Sequence, residues 1–221
     1  MGVDLDGSDM TDLMDKQDNR RPIQSRASTW AKVVAAYLAR SALTPNQISV
    51  LSILFAALGA GLLLSHPGIW GLLACALAIQ GRLICNLLDG MVAIEGGKHS
   101  ALGQLYNEFP DRIADSLLIV ALGYAVAWPS LGWLGALLAA LTAYVRVFGG
   151  ALGLAQDFRG PMAKQHRMAV MTLGCLLGAL ELHLAATQHA LLLAGLLIAA
   201  GSLLTCISRT RAIARQLQAA H

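Results

Sequence analysis

Six stretches of this 221-residue chain, at 47–65, 68–89, 103–127, 131–154, 168–186 and 190–207, are long and mostly apolar. That pattern restricts the fold more than any other feature. The hydrocarbon layer of a bilayer takes about 20 apolar residues of helix to cross. Inside it each backbone N–H and C=O must be paired within the chain, which a helix does by itself. Composition agrees: 56% of the residues are hydrophobic and 13% charged, where a soluble domain carries about 25% charged. The expected fold is an all-α integral membrane protein, a six-transmembrane-helix bundle. A shorter segment, 28–41, precedes it. Trp30, Val33, Val34, Tyr37 and Leu38 share one helical face there, Lys32 and Arg40 lie outside that stripe, and Arg26 stands just upstream. Too short to span, this segment is expected to lie as an amphipathic helix in the interface of an anionic leaflet.

Charge sets the expected orientation. The connections 65–71, 128–133 and 186–189 hold no Lys or Arg. The opposite ends hold Arg20, Arg21, Arg26, Lys32 and Arg40, then Lys98, then Arg159, Lys164 and Arg167, then Arg209, Arg211 and Arg215. Cytoplasmic loops carry the Lys/Arg excess, so both termini are expected in the cytoplasm. Trp70, Trp128 and Trp133 mark the outer interface. Residues 1–25, with Asp4, Asp6, Asp9, Asp12, Asp15 and Asp18, read as a disordered acidic tail, 26–210 as the membrane domain and 211–221 as a cytoplasmic tail. No cleavable leader is expected, because the first apolar run starts far from Met1. The net charge of +3 is too small to argue for nucleic acid. Cys75, Cys85, Cys175 and Cys206 lie in apolar runs without C-x-x-C spacing and read as small core residues.

The exception to the apolar pattern is chemically pointed. Asn86, Asp89, Gly90 and Ala93 recur at helical spacing, and Asn107, Asp111 and Asp115 do so after a Gly96-Gly97 break. The apolar part of the third run, 117–128, is too short alone, so that helix has to include the second set. Carboxylates in a spanning helix are costly and mark function. Two such stripes face to face form a cage for one or two divalent ions bridging protein oxygens and a diphosphate, with Gly90, Ala93 and Gly103 permitting close backbone approach. All of these groups fall at the cytoplasmic end. A transporter would instead run its ionisable groups through the midplane.

The stretch resembles the CDP-alcohol phosphatidyltransferase family, whose pattern is D-x-x-D-G-x-x-A-R, eight or nine residues, then G-x-x-x-D-x-x-x-D. Asn86, Asp89, Gly90, Ala93, Gly103, Asn107 and Asp111 match its spacing. Leu43-Thr-Pro-Asn-Gln-Ile-Ser49, Tyr144-Val-Arg146 and Gly160-Pro-Met-Ala-Lys164-Gln-His-Arg167 resemble its other segments. The resemblance implies transfer of a phosphatidyl group from CDP-diacylglycerol to a polar alcohol with release of CMP. It also implies Mg2+ or Mn2+, a bacterial inner-membrane location and a homodimer. Asp111 would be the general base, with metal ligands Asn86, Asp89, Asn107 and Asp111. Asp89, Gly90, Ala93 and Gly103 would meet the nucleotide, and Arg146, Lys164 and Arg167 the acceptor.

Three departures stand out. Asn86 and Asn107 replace family aspartates, and Ile94 replaces the arginine. Asn lends a metal its carbonyl oxygen but no charge, so Glu108 and Asp115 are the candidates to compensate. Pro110 is expected to bend or shift that turn. The two Asn residues also motivate a rival reading, a non-catalytic protein on the same scaffold. A prenyl-diphosphate transferase shares the metal logic but needs a second acidic motif. Arg82 is ambiguous between structure and acceptor binding. Asp157, Arg159 and His166 read as surface groups, and Glu95, Lys98 and His99 as loop residues. Glu181 and His183 lie toward the outer end of the fifth span, away from this chemistry.

Overall fold

A computed structural model of the chain describes residues 28–66, 68–98, 101–185 and 187–219. The acidic stretch 1–25, Arg26 and His99 lie outside the described residues. The helices are α1 (Thr29–Ala39), α2 (Pro45–Ser65), α3 (Ile69–Glu95), α4 (Gly103–Ala125), α5 (Pro129–Ala151), α6 (Lys164–Ala185) and α7 (His189–Ala219). The protein is thus an all-α, multi-pass membrane protein, with six long helices after a short one, as expected. Five of them, α2, α3, α5, α6 and α7, are long and apolar enough to cross a membrane. The exception is α4, whose first half carries Glu108, Asp111, Arg112 and Asp115. Its apolar remainder packs in the bundle, with Leu118 and Leu122 fully buried. Pro110 sits inside α4 without ending it.

The apolar pattern places the core. Ala56, Leu63, Leu72, Ile79, Leu118, Leu122, Met168, Met171 and Ile198 meet in one buried cluster, while Leu54, Leu77, Trp70 and Leu184 point outward as lipid-facing groups do. Neighbouring helices approach through small residues. A Cβ built on Gly123 of α4 would lie 2.5 Å from the Cα of Gly132 in α5, so only glycine allows this hairpin to close. The packing differs from expectation at one consequential place. Among the described residues α3 packs on α1, α2 and α6, and α4 packs on α2, α5 and α7, but α3 and α4 barely touch at the backbone. A Cβ at Gly103 would meet nothing within 4 Å. The expected close approach through Gly90, Ala93 and Gly103 is therefore replaced by a gap that side chains bridge.

Local signals explain how the inner end is built. Thr44 and Gln47 form a reciprocal capping box at the start of α2: Gln47 N–H donates to Thr44 Oγ1 (3.3 Å) and Thr44 N–H to Gln47 Oε1 (2.9 Å). Pro45 sits where a helix needs no N–H donor. Lys98, in the α3–α4 loop, donates to the carbonyls of Ser41 (2.7 Å) and Leu43 (3.1 Å) and so ties that loop to the approach to α2. Helix α1 buries Ala31 and Ala35 against Cys85, Leu88, Met91 and Val92 of α3, while Trp30, Val33 and Tyr37 face outward. That outward apolar face is the one an interfacial helix presents to lipid. At the other end Glu181 accepts from Thr187 Oγ1 (2.6 Å), His189 N–H (3.1 Å) and Ala190 N–H (2.9 Å), capping α7. The stretch 211–219, read as a tail, continues α7 and buries Ala212 and Ile213. The cysteines are unpaired in disulfides among the described residues.

Gly123→Val should lower stability by more than about 3 kcal/mol, above the usual cost of overpacking because the clash is with backbone. Gly61→Ala, with open space around it, should be near neutral. Thermal unfolding in detergent compares them.

Candidate active site

Asp89, on the inner half of α3, is 7% exposed. Its two oxygens are held from different directions. Oδ2 accepts from Ser49 Oγ (2.6 Å) and Oδ1 from the N–H of Gly90 (2.6 Å). Ser49 is buried on α2, one turn past the capping box, so that local signal fixes the hydroxyl that fixes the carboxylate. Across the gap Asp111 of α4, also 7% exposed, makes an ion pair with Lys164 at the start of α6. Arg82 Nη2 stands 3.5 Å from the same carboxylate. Asn86, one turn before Asp89, is partly buried, and its amide nitrogen has no partner among the described residues. Asn107, one turn before Asp111, is exposed.

Behind these groups runs a buried charge network. Asp115, 2% exposed, takes Arg82 Nη2 on Oδ1 (2.5 Å) and Arg167 on Oδ2, through Nη2 (2.9 Å) and Nε (3.3 Å). Arg167 also donates to the Met162 carbonyl (2.9 Å) and Thr142 Oγ1 (3.3 Å). Arg209 of α7 donates to the carbonyls of Thr142 (2.5 Å) and Arg159 (2.9 Å). Five helices, α3 to α7, and the α5–α6 loop are joined through buried donors and acceptors.

A third group lies toward α5. Arg146 Nη2 is 2.5 Å from Glu108 Oε1, Nη1 donates to Gln156 Oε1, and the guanidinium lies 5.3 Å from the Phe158 ring centre. Arg112 reaches Glu108 and Asp111, at 3.7 Å each.

Residues 42–207 match the family described as CDP-alcohol phosphatidyltransferase. The chain belongs to that family. The fold agrees with solved structures of the phosphatidylinositol phosphate synthase of Mycobacterium tuberculosis. One, with CDP-DAG bound, has a TM-score of 0.72 at 22% identity, covering 84% of this chain and 94% of that one. Another, with manganese and citrate, has a TM-score of 0.71 at 22% identity, covering 83% and 88%. Among curated proteins the chain is 37% identical over 148 residues to a bifunctional IPC transferase and DIPP synthase of Rubrobacter xylanophilus. The match covers 62% of this chain and 32% of that relative, so the chain spans about a third of its length.

Placed against the phosphatidyltransferase pattern, the sequence-derived residues divide. Asp111 and Lys164 pair, Asp89 lies on the other side of the α3–α4 gap, and Asn86 and Asn107 lie one turn before the two carboxylates on the same helices. Gly90 donates its N–H to Asp89 and Ala93 is half-buried a turn further on. Ile94 is 49% exposed at the end of α3. Two expectations need correction. Asp115 is not an extra metal acid, because both its oxygens are taken by guanidinium groups. Arg167 is not placed to meet an acceptor: it is 1% exposed and committed to Asp115, Thr142 and the Met162 carbonyl. Glu108, the other compensating acid, pairs with Arg146. Arg82, left ambiguous from sequence, is the fully buried bridge across the α3–α4 gap. Its signal was an arginine within an apolar span, which persists only when paired. Ser49 was missed as a site residue, because one serine in an apolar helix carries no distinguishing pattern.

Hard divalent cations take oxygen ligands, and Asp89, Asp111 and the amide oxygens of Asn86 and Asn107 supply them. The buried, unpartnered end of the Asn86 amide presents its oxygen when the amide is turned over, so this donor set fits such a cation. Among the described residues no three His, Cys, Asp or Glu stand together to hold a metal. The amides are therefore needed to complete the set.

Asp115→Ala should leave two buried guanidinium groups without their carboxylate, a loss on the order of 3–5 kcal/mol. Thermal unfolding in detergent should show a large drop, while Asp157→Ala, on a surface pair with Arg159, should change little.

Proposed function

We propose that this chain transfers a phosphatidyl group from CDP-diacylglycerol to the hydroxyl of an alcohol, using Mg2+ or Mn2+. The observation that carries the reading is a buried carboxylate on each side of the gap between α3 and α4, Asp89 held by Ser49 and Asp111 paired with Lys164. In the reaction the alcohol oxygen bonds to the phosphorus that bears the diacylglycerol. The bond from that phosphorus to the CMP oxygen breaks, and CMP leaves. Asp111 takes the hydroxyl proton, and Lys164, its ion-pair partner, orients the carboxylate. Asn86, Asp89, Asn107 and Asp111 would hold the divalent ion. When bound, that ion neutralises the diphosphate and the departing CMP. Ser49 and the Gly90 N–H hold Asp89 in one orientation. The inner face of α3 around Gly90 and Ala93, with Gly103 opposite, receives the nucleotide, and Arg146 with Lys164 borders the acceptor.

The positively charged ends, with Lys98, Arg159, Lys164, Arg209, Arg211 and Arg215, favour both termini in the cytoplasm of a bacterial inner membrane. The outward apolar face of α1 supports a site held at headgroup depth, open to lipid from the side and to the acceptor from water. We also expect a homodimer.

Purified protein incubated with labelled CDP-diacylglycerol, either metal and a panel of alcohols should release CMP and a new phospholipid. Chelation of the metal should stop both, and Mg2+ or Mn2+ should restore them. Asp89→Ala and Asp111→Asn should each cut the rate by about 10²–10⁴, the range of a lost acid–base group. Activity surviving both substitutions sinks the assignment. Ser49→Ala should slow CMP release about tenfold, the rate equivalent of one hydrogen bond to a charged group, and Ser49→Thr should recover most of it.

A further inference from the structure

We propose that the alcohol taken at this site carries no phosphate of its own, because Glu108 closes Arg146 to anions and leaves a subsite for an uncharged polyol. The inference rests on the phosphatidyl-transfer reading. It begins with a displaced charge. The phosphatidyltransferase pattern has an acid at position 107, where this chain has Asn107, and the next residue is Glu108. One residue along a helix is a turn of about 100°. The carboxylate therefore leaves the stripe of Asp111 and reaches α5, where it meets Arg146 at 2.5 Å.

A phosphate monoester carries nearly two negative charges at neutral pH and is held by the paired donors of a guanidinium fork. Arg146 has no such fork to offer. Nη2 is on Glu108, Nη1 is on Gln156, and the flat face is on Phe158. Its side chain is 11% exposed and that of Glu108 is 34% exposed, so an anion arriving from water meets the acid first. The other cations here are matched as well. Lys164 is on Asp111, Arg82 and Arg167 are on Asp115, Arg112 is on Glu108 and Asp111, and Arg159 is on Asp157. A divalent ion drawing on Asp89 and Asp111 would leave the Arg146–Glu108 pair intact, since Glu108 faces another helix. What remains beside Arg146 is the carboxylate of Glu108 and the amide of Gln156. These are groups that exchange hydrogen bonds with hydroxyls. Like-charge opposition, more than attraction, then sets the choice.

The experiment compares the full chain and Glu108→Gln, each with CDP-diacylglycerol and metal. The acceptors are myo-inositol and glycerol against inositol 1-phosphate and glycerol 3-phosphate. The native chain should release CMP at least about tenfold faster with the unphosphorylated alcohols. Glu108→Gln should shift that ratio toward the phosphorylated ones by about tenfold or more, and Arg146→Met added to it should cancel the shift. Inorganic phosphate provides a readout that needs no turnover: calorimetry should register binding to Glu108→Gln but not to the native chain or the double variant. CMP release confined to phosphorylated acceptors, or phosphate binding native and Glu108→Gln protein alike, overturns the inference and leaves the transferase reading standing. Absence of CMP release with every acceptor removes the transferase reading itself, and this inference with it.

Discussion

A single buried carboxylate, Asp115, held between the guanidinium groups of Arg82 and Arg167, is the interaction on which the inner half of this bundle depends. Three charges with almost no exposure to solvent are tolerable only together, since each alone in a low-dielectric interior is strongly disfavoured. Their pairing fixes α3, α4 and α6 relative to one another. Thr142 and Arg209 then carry the same network to α5, α7 and the loop at Arg159. Because the link between α3 and α4 is a whole arginine side chain, the two helices stand apart where close packing by small residues would have brought them together. The gap so created has Asp89 on its α3 side and Asp111 on its α4 side.

One helical stripe serves three purposes by depth. Asn107, Asp111 and Asp115 follow at four-residue steps on α4, and each step rotates the side chain by about 40°. Asn107 is exposed, Asp111 is 7% exposed and beside Lys164, and Asp115 is 2% exposed inside the arginine clamp. The drift of the helix against the repeat thus turns one chemical pattern into a water-side amide, a site carboxylate and a structural anchor. Glu108, one residue off the stripe, escapes to α5 and meets Arg146.

The apolar runs foretold the helices well because the bilayer demands a fixed length of helix whatever packs around it. The ends were read less well. Helix α3 runs to Glu95 where the apolar run stopped at Asp89, and α7 runs to Ala219, since beyond the lipid a helix continues wherever one face is still buried. The capping signal at Thr44-Pro45-Asn46-Gln47 was legible as a segment, and its purpose, placing Ser49 on Asp89, was not. Glu181 could be seen as remote from the chemistry, yet its duty as the cap of α7 needed the hairpin to be closed.

From the sequence alone came the class of fold, the count of long helices, the charged end and the pair Asp89 and Asp111, because length, hydropathy and spacing along one helix are properties of the chain itself. Which acid meets which base was settled only by the tertiary structure. Arg82, Glu108, Asp115 and Arg167 are all charged residues near one membrane face. Apart from Arg112, one turn from Glu108, their charged partners lie 29 to 52 residues away on other helices, a distance over which local periodicity carries no information and packing decides.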